Sequence, residues 1–413
     1  MLHRQKWLGL PALMLGVALA LGFGPGTGTA LANHTIKIGN TNPYSGPASS
    51  YGQIGRVIQA YFEMINEQGG INGHKIEIIS DDDSYSPPKT VEMIRKLVEK
   101  DRVDFLFQTL GTPTNSAIHK YVNKKKIPHL FVATGATKWG QPNKYPWTMG
   151  WQVNYQSAGR AYADYVVKNV PNAKIGILFQ NDDYGKDYVK GFKDGLAQGI
   201  RTAGMGKGQA PVIVSEQSYE VSDPSIDSQI VNLKASGANV FFNVSIPKFA
   251  AQAIKKQRAI GWEAVHIIND VANSISATLK PAGLENSKGL ISGAYLKDPD
   301  DSQWDDDSDM KVMMEFMNSR VPKTSRNPQF TVYAYSVSQT LEQVLKQAGN
   351  DFSRENIMRQ AANLKGFVPG GVLPGIAINT SPTDFFPIEQ MQMQRFDGKV
   401  WVNFGPIVGR KGA

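Results

Sequence analysis

Thr109-Leu110-Gly111-Thr112-Pro113-Thr114-Asn115 gathers short hydroxyl and amide side chains around one proline. Pro113 suits the first turn of a helix, so the unpaired amides and the hydroxyls of Gly111 to Thr114 stand at a helix N-terminus, where the dipole favours negative charge. A carboxylate is the natural guest; the alternative for these hydroxyls is ordinary helix capping. Similar polar runs follow other predicted strands: Ala133 to Trp139, Asn181-Asp182-Asp183-Tyr184-Gly185, Phe242 to Pro247 and Ile268 to Asn273. They suggest recognition. Catalysis finds no support, because His74, His119, His129 and His266 lack metal-ligand spacing and no GxSxG or nucleophile-base pair is present. No cofactor or metal is expected, and the protein is read as a binder rather than an enzyme.

These segments need strands and helices to hold them. The first is strand 35–42, followed by the loop Pro43-Tyr44-Ser45-Gly46-Pro47 with Ser49, Ser50, Tyr51 and Gly52. A helix follows, because Ile54, Val57, Ile58, Tyr61, Phe62 and Ile65 recur at three and four residues and share one face. A tight turn and a second strand complete a βαβ unit, whose loop lies at a strand's carboxyl end, where open α/β sheets bind ligands. Next come a helix from about Pro88, strand Val103 to Phe107, a helix carrying Ile118 and Val122, and strand His129 to Ala133. The alternation restarts with strands Lys174 to Phe179, Val212 to Ser215, Asn239 to Val244 and Ala264 to Ile268, each separated from the next by a helix. This pattern specifies α/β architecture with parallel sheets covered on both faces, in two similar halves. Trp147 to Gln152 is a first crossover between them, Leu290 to Tyr295 a return, and Ile388 to Phe396 with Val400 to Phe404 a β-hairpin around Asp397-Gly398.

At the N-terminus, His3, Arg4 and Lys6 precede an apolar run from Trp7 to Phe23, and Ala30-Leu31-Ala32 offers a small-x-small cleavage site. That is an export signal cut after Ala32, with a retained membrane anchor as the alternative. Setting it aside leaves 381 of the 413 residues, enough for two ordinary domains, and a net charge reduced from +8 to +6. The absence of cysteine excludes a disulfide framework, a thiol nucleophile and an acylated cysteine anchor. A freely diffusing periplasmic protein is expected, with no membrane insertion of the mature chain. Lys124-Lys125-Lys126 reads as charge at a helix C-terminus; without a recognition motif beside it, no nucleic-acid partner is expected. Asp298, Asp300, Asp301, Asp305, Asp306, Asp307 and Asp309 lack the Gly and Glu of a calcium loop and read as a solvated loop capping the helix from Met310 to Met317. Gly204, Gly206 and Gly208 lack the lysine of a phosphate loop and read as a surface turn.

PYSGPASSYG, INEQGGINGHKIEII and the following DDDS closely resemble the N-terminal segment of the leucine/isoleucine/valine-binding protein family, extracytoplasmic receptors of ABC importers. The resemblance implies a type I periplasmic binding protein: two doubly wound parallel-sheet lobes, joined by a three-strand hinge, with the cleft between them. It places lobe I at 33–151 plus about 290–382 and lobe II at 152–289 plus about 383–413. It implies a monomeric receptor that closes on a small hydrophobic carboxylate and delivers it to ABC permease subunits. By the family's pattern Gly135 and Thr137 hold an amino acid's carboxylate and amine, while Gly111 stands where many relatives have serine, so that Thr112 takes its role. Asp270 falls near the amine-binding acid, with helix capping as its alternative, and Ser245 near a cleft tyrosine that this chain lacks. Tyr51 and Tyr184 match rings that face the ligand; Trp139 and Trp151 lie near cleft elements, Trp139 being equally suited to the core. The family's disulfide would join Asp83-Ser84-Tyr85 to Thr109-Leu110-Gly111, and both halves are missing. With the amine site altered, an aromatic or other hydrophobic acid without an amine competes with leucine-like amino acids. A ligand-sensing module and a periplasmic hydrolase are the remaining alternatives.

Overall fold

The computed structural model describes residues 35–206, 208–323 and 326–409. The export signal and its cleavage after Ala32 lie outside them. Among the described residues no helix is long and apolar enough to cross a membrane.

The first half alternates β1 (Ile36–Asn42), α1 (Gly52–Glu67), β2 (Ile76–Asp82), α2 (Pro87–Arg95), β3 (Phe105–Phe107), α3 (Thr112–Lys124), β4 (His129–Val132) and β5 (Thr148–Gly150). All five strands are parallel, in the order β2-β1-β3-β4-β5. The apolar stripe expected for α1 is buried.

The second half runs α4 (Tyr155–Asn169), β6 (Lys174–Gln180), α5 (Asp183–Thr202), β7 (Val212–Tyr219), α6 (Asp227–Ala235), β8 (Val240–Val244), α7 (Pro247–Ala259) and β9 (Val265–Ile268). Two short helices, α8 (Lys280–Ala282) and α9 (Leu284–Ser287), lead to β10 (Ile291–Ala294). Then come α10 (Ser308–Arg320), α11 (Pro328–Ala348), α12 (Arg354–Ala361) and the antiparallel hairpin β11 (Gln390–Phe396) and β12 (Trp401–Gly409). The second sheet has the order β12-β11-β10-β9-β8-β6-β7.

In each sheet the strand order reverses once, between β1 and β3 in the first and between β6 and β8 in the second. Loops that leave neighbouring strands in opposite directions open a crevice at the carboxyl ends, and ligands bind there. The two crevices supply facing walls of one cleft.

Two expectations change. Leu290 to Tyr295 was expected to begin the return to the first lobe, but Ile291–Ala294 is a strand of the second sheet, parallel to β9 and antiparallel to β11. The return follows it, where Leu296 bridges Val372 and the Lys297 N–H donates to the Gly371 carbonyl (2.8 Å). Beyond that point α11 packs on α1, with Tyr335 edge-on to Tyr61 at 5.1 Å. The chain therefore passes between the sheets at 151–154, 295–297 and 385–389. The acidic loop is also not solvated throughout. Asp307 caps α10 through the Met310 N–H (2.9 Å), but Asp298 is buried, accepting the N–H groups of Asp300 (3.1 Å) and Trp401 (3.3 Å). Burial pushes its carboxyl up to about 6.

Candidate ligand-binding site

A cavity of about 120 Å³ lies where the two crevices meet. One water needs roughly 10 to 15 Å³ of such space, so the cavity has room for a small organic molecule. Its walls carry seven aromatic rings: Tyr51, Tyr85, Tyr155, Tyr184, Tyr295, Phe330 and Tyr333.

Each wall is built by its strand ends. After β1, the loop to α1 presents Tyr51, whose ring lies 5.3 Å from Phe330 and whose hydroxyl donates to the Val271 carbonyl (2.7 Å). That bond joins the loop of the first sheet to the end of β9, so the cleft is closed. After β3, Gly111 has φ +102° and caps α3; a Cβ there would lie 2.5 Å from the Tyr85 ring. Only glycine suits both constraints, and Asp83 fixes the turn by accepting the Tyr85 N–H (2.9 Å). A tyrosine ring thus packs between the stretches where the family's disulfide was placed.

The opposite wall centres on Asp270, just beyond β9. Its Oδ1 accepts hydroxyl hydrogens from Tyr188 (2.6 Å) and Tyr162 (3.0 Å), while its Oδ2 is buried with no partner. Asp270 keeps some accessible surface because it faces the cavity, yet protein encloses it, and this burial raises its carboxyl above the usual range. The two tyrosine hydroxyls oppose the rise. Gln152 Nε2 and Tyr184 Oη, on two other lining residues, are also buried without partners. Leaving such a group unsatisfied costs about 1 to 3 kcal/mol, so each is a contact that an entering molecule can complete.

Of the residues singled out in the sequence, Tyr51, Gly111, Thr112, Tyr184 and Asp270 line this cavity. Thr112 shares a hydrogen bond with Thr134 (2.6 Å). The others lie elsewhere. Gly135 is buried with its carbonyl accepting the Tyr155 N–H (2.8 Å). Thr137 faces a second groove, where its N–H (2.7 Å) and hydroxyl (2.8 Å) both donate to Asp187 on α5. Ser245 is fully buried, its hydroxyl donating to Asn243 (2.6 Å). Trp139 packs edge-on to His119 at 4.7 Å, and Trp151 supports the cavity from behind, edge-on to Tyr333 at 5.2 Å.

Tyr85, Tyr155, Tyr295, Phe330, Tyr333, Lys297 and Asp298 were not anticipated as cavity residues. Tyr295 ends just past a strand, and the crevice rule could have found it. Phe330 and Tyr333 carried no such signal, because a helical stripe of rings reads as core.

The sequence model of the periplasmic binding protein family matches residues 35–399. The chain belongs to this family. Among its relatives, the Leu/Ile/Val-binding protein homolog 1 of Brucella suis is 26% identical over 357 residues, covering 83% of this chain and 86% of the relative. The fold is similar to that of a branched chain amino acid ABC transporter protein from Thermus thermophilus with bound valine (TM-score 0.81, 14% identity, 92% and 98% of the two chains). It is also similar to a solute binding protein of an ABC transporter from R. palustris in complex with benzoate (TM-score 0.74, 20% identity, 92% and 99%). As a member of this family with the type I fold, the chain is an extracytoplasmic solute-binding protein.

Proposed function

We propose that this periplasmic binding protein captures an α-amino acid with an apolar side chain and delivers it to its ABC permease. The observation that carries the reading is the buried, unpartnered Oδ2 of Asp270 inside a cavity ringed by aromatic side chains. A carboxylate held by two tyrosine hydroxyls on one oxygen accepts an ammonium on the other, and charge-assisted hydrogen bonds of this kind contribute about 1.5 to 3 kcal/mol each. The ligand carboxylate would lie toward the start of α3 and Thr112, at the positive end of the helix dipole. The rings would enclose the side chain.

A second reading has its own support. Burial raises the Asp270 carboxyl, and a protonated Asp270 could donate to the carboxylate of an aromatic acid, which the seven rings would suit. Thermal-shift screening separates ligand classes, since a ligand at 100 times its dissociation constant adds about 2.7 kcal/mol of stability. Leucine, valine or phenylalanine should raise the melting temperature more than benzoate. A response to benzoate alone would replace the first reading by the second.

The same proposal takes lobe I as the first sheet with its later helices and lobe II as the second sheet, working as a monomer that opens and closes. A ligand shifts such an equilibrium only through contacts that differ between the states. Tyr51 on one wall and Tyr184 on the other would make them. Saturating ligand is therefore expected to compact the protein in solution scattering and change its tryptophan fluorescence, with Tyr184→Ala weakening both responses. Scattering curves that superimpose with and without ligand would contradict closure. The exported protein should begin at Asn33, which intact mass checks; full-length chain in the membrane fraction would contradict it.

A further inference from the structure

We infer that Gln152 binds a ligand carboxylate oxygen, and that Tyr333 is its positioning residue. The inference rests on the proposed carboxylate ligand and names a contact that replaces the one expected of Thr137. Gln152 lines the cavity, is only 6% exposed, and lies between β5 and α4 on the first segment that crosses between the sheets. Its Oε1 accepts the Tyr333 hydroxyl (3.2 Å), which turns the amide so that Nε2 is left over, and Nε2 is buried without a partner.

The orientation is held from behind. Tyr333 packs against Trp151 at an interplanar angle of 89°, and Trp151 donates its indole N–H to Thr340 (3.0 Å) on the same helix as Tyr333. The leftover group of Gln152 is a donor, while that of Asp270 is an acceptor. With the unpartnered Tyr184 hydroxyl able to serve either way, a cavity offering at least one of each suits a zwitterion, with the carboxylate on Gln152 and the ammonium on Asp270. Because Gln152 belongs to a crossing segment, the contact ties ligand binding to the stretch that must bend when the lobes close.

The test is calorimetry on the exported protein with leucine, leucinamide and benzoate. Gln152→Leu should weaken leucine at least tenfold, or 1.4 kcal/mol. Gln152→Glu should weaken it further by repelling the carboxylate, while leucinamide, which lacks that charge, loses little. Tyr333→Phe should narrow the preference for leucine over leucinamide without abolishing binding. The double variant Gln152→Leu, Tyr333→Phe removes both partners together, so it should keep the ligand-free melting temperature and still lose leucine. If benzoate proves to be the ligand, the same losses are expected for benzoate.

Binding of the preferred carboxylate within twofold of wild type by both Gln152→Leu and Gln152→Glu would overturn the inference, whatever Asp270→Asn does. Loss of leucine but not of benzoate in Asp270→Asn bears on the amine site alone, so the two failures are distinguishable.

Discussion

Asp270→Asn is expected to abolish amino-acid binding while leaving the ligand-free protein at least as stable as wild type. Asparagine keeps the shape and an oxygen for the hydroxyls of Tyr162 and Tyr188, which donate to Oδ1. What is lost is the charge that would meet the ammonium, and breaking a buried ion pair costs about 3 to 5 kcal/mol. The stability half of the prediction follows from linkage. Burial raises the Asp270 carboxyl in the folded protein, so the unfolded chain releases this proton first as pH rises. Stability is then fully present below the unfolded value and falls as pH climbs through the raised folded one. Asparagine does not titrate and removes that loss at neutral pH.

Affinity should follow the opposite course. An ammonium requires the ionised carboxylate, so leucine affinity is expected to rise with pH through the raised Asp270 range and then level off. For an aromatic acid held by protonated Asp270, affinity should fall over the same range. Asp298 also lines the cavity, with its carboxyl pushed up to about 6 by burial, so the Asp270→Asn profile is the control: only the slope that disappears in it belongs to Asp270. Calorimetry across this range reads both. Equal leucine binding by wild type and Asp270→Asn would remove Asp270 from the amine site.

Gly191→Val should unfold the second lobe more easily and disable the site with it. Helices α4 and α5 pack backbone to backbone: a Cβ on Gly191 would collide with the Gln156 main chain, and one on Gly159 would lie 2.5 Å from the Tyr188 carbonyl. Gly195 is similarly confined: a Cβ there would lie 2.8 Å from the Ala163 side chain. This close approach lets Tyr155 stack on Tyr188 at 4.4 Å and meet Tyr184 at 5.3 Å. Overpacking costs about 1 to 3 kcal/mol and occasionally more; with main chain on the other side, the upper end is expected. Pushing α5 away also pulls the Tyr188 hydroxyl from Asp270, so affinity should fall along with the denaturation midpoint. Gly206→Ala, where a Cβ would meet nothing within 4 Å, should stay within about 0.5 kcal/mol of wild type. Equal midpoints for Gly191→Val and wild type would show that α4 and α5 can separate without cost.

The amino-acid sequence by itself determined the elements and the ends of the strands where a ligand must lie. The stripe from Ile54 to Ile65 could bury only one helix face, alternating strands and helices could build only parallel sheets, and Pro113 marked the helix start beside Gly111 and Thr112. These are local signals, set by periodicity and backbone stereochemistry, and they placed the loops at the cavity wall; the family resemblance singled out Tyr51, Tyr184 and Asp270 within those loops. Tertiary structure alone decided which groups face inward and which partners they keep. Thr137 follows a strand as Thr112 does, yet Asp187 from another helix holds it in a different groove. Asp298 reads as one more acid of a soluble loop until Trp401, 103 positions away, buries it. Phe330 and Tyr333 form a core stripe like any other until the crossing segments bring them to the ligand space. Periodicity specifies the face of an element, but what covers that face depends on contacts between residues hundreds of positions apart, and no local pattern encodes them.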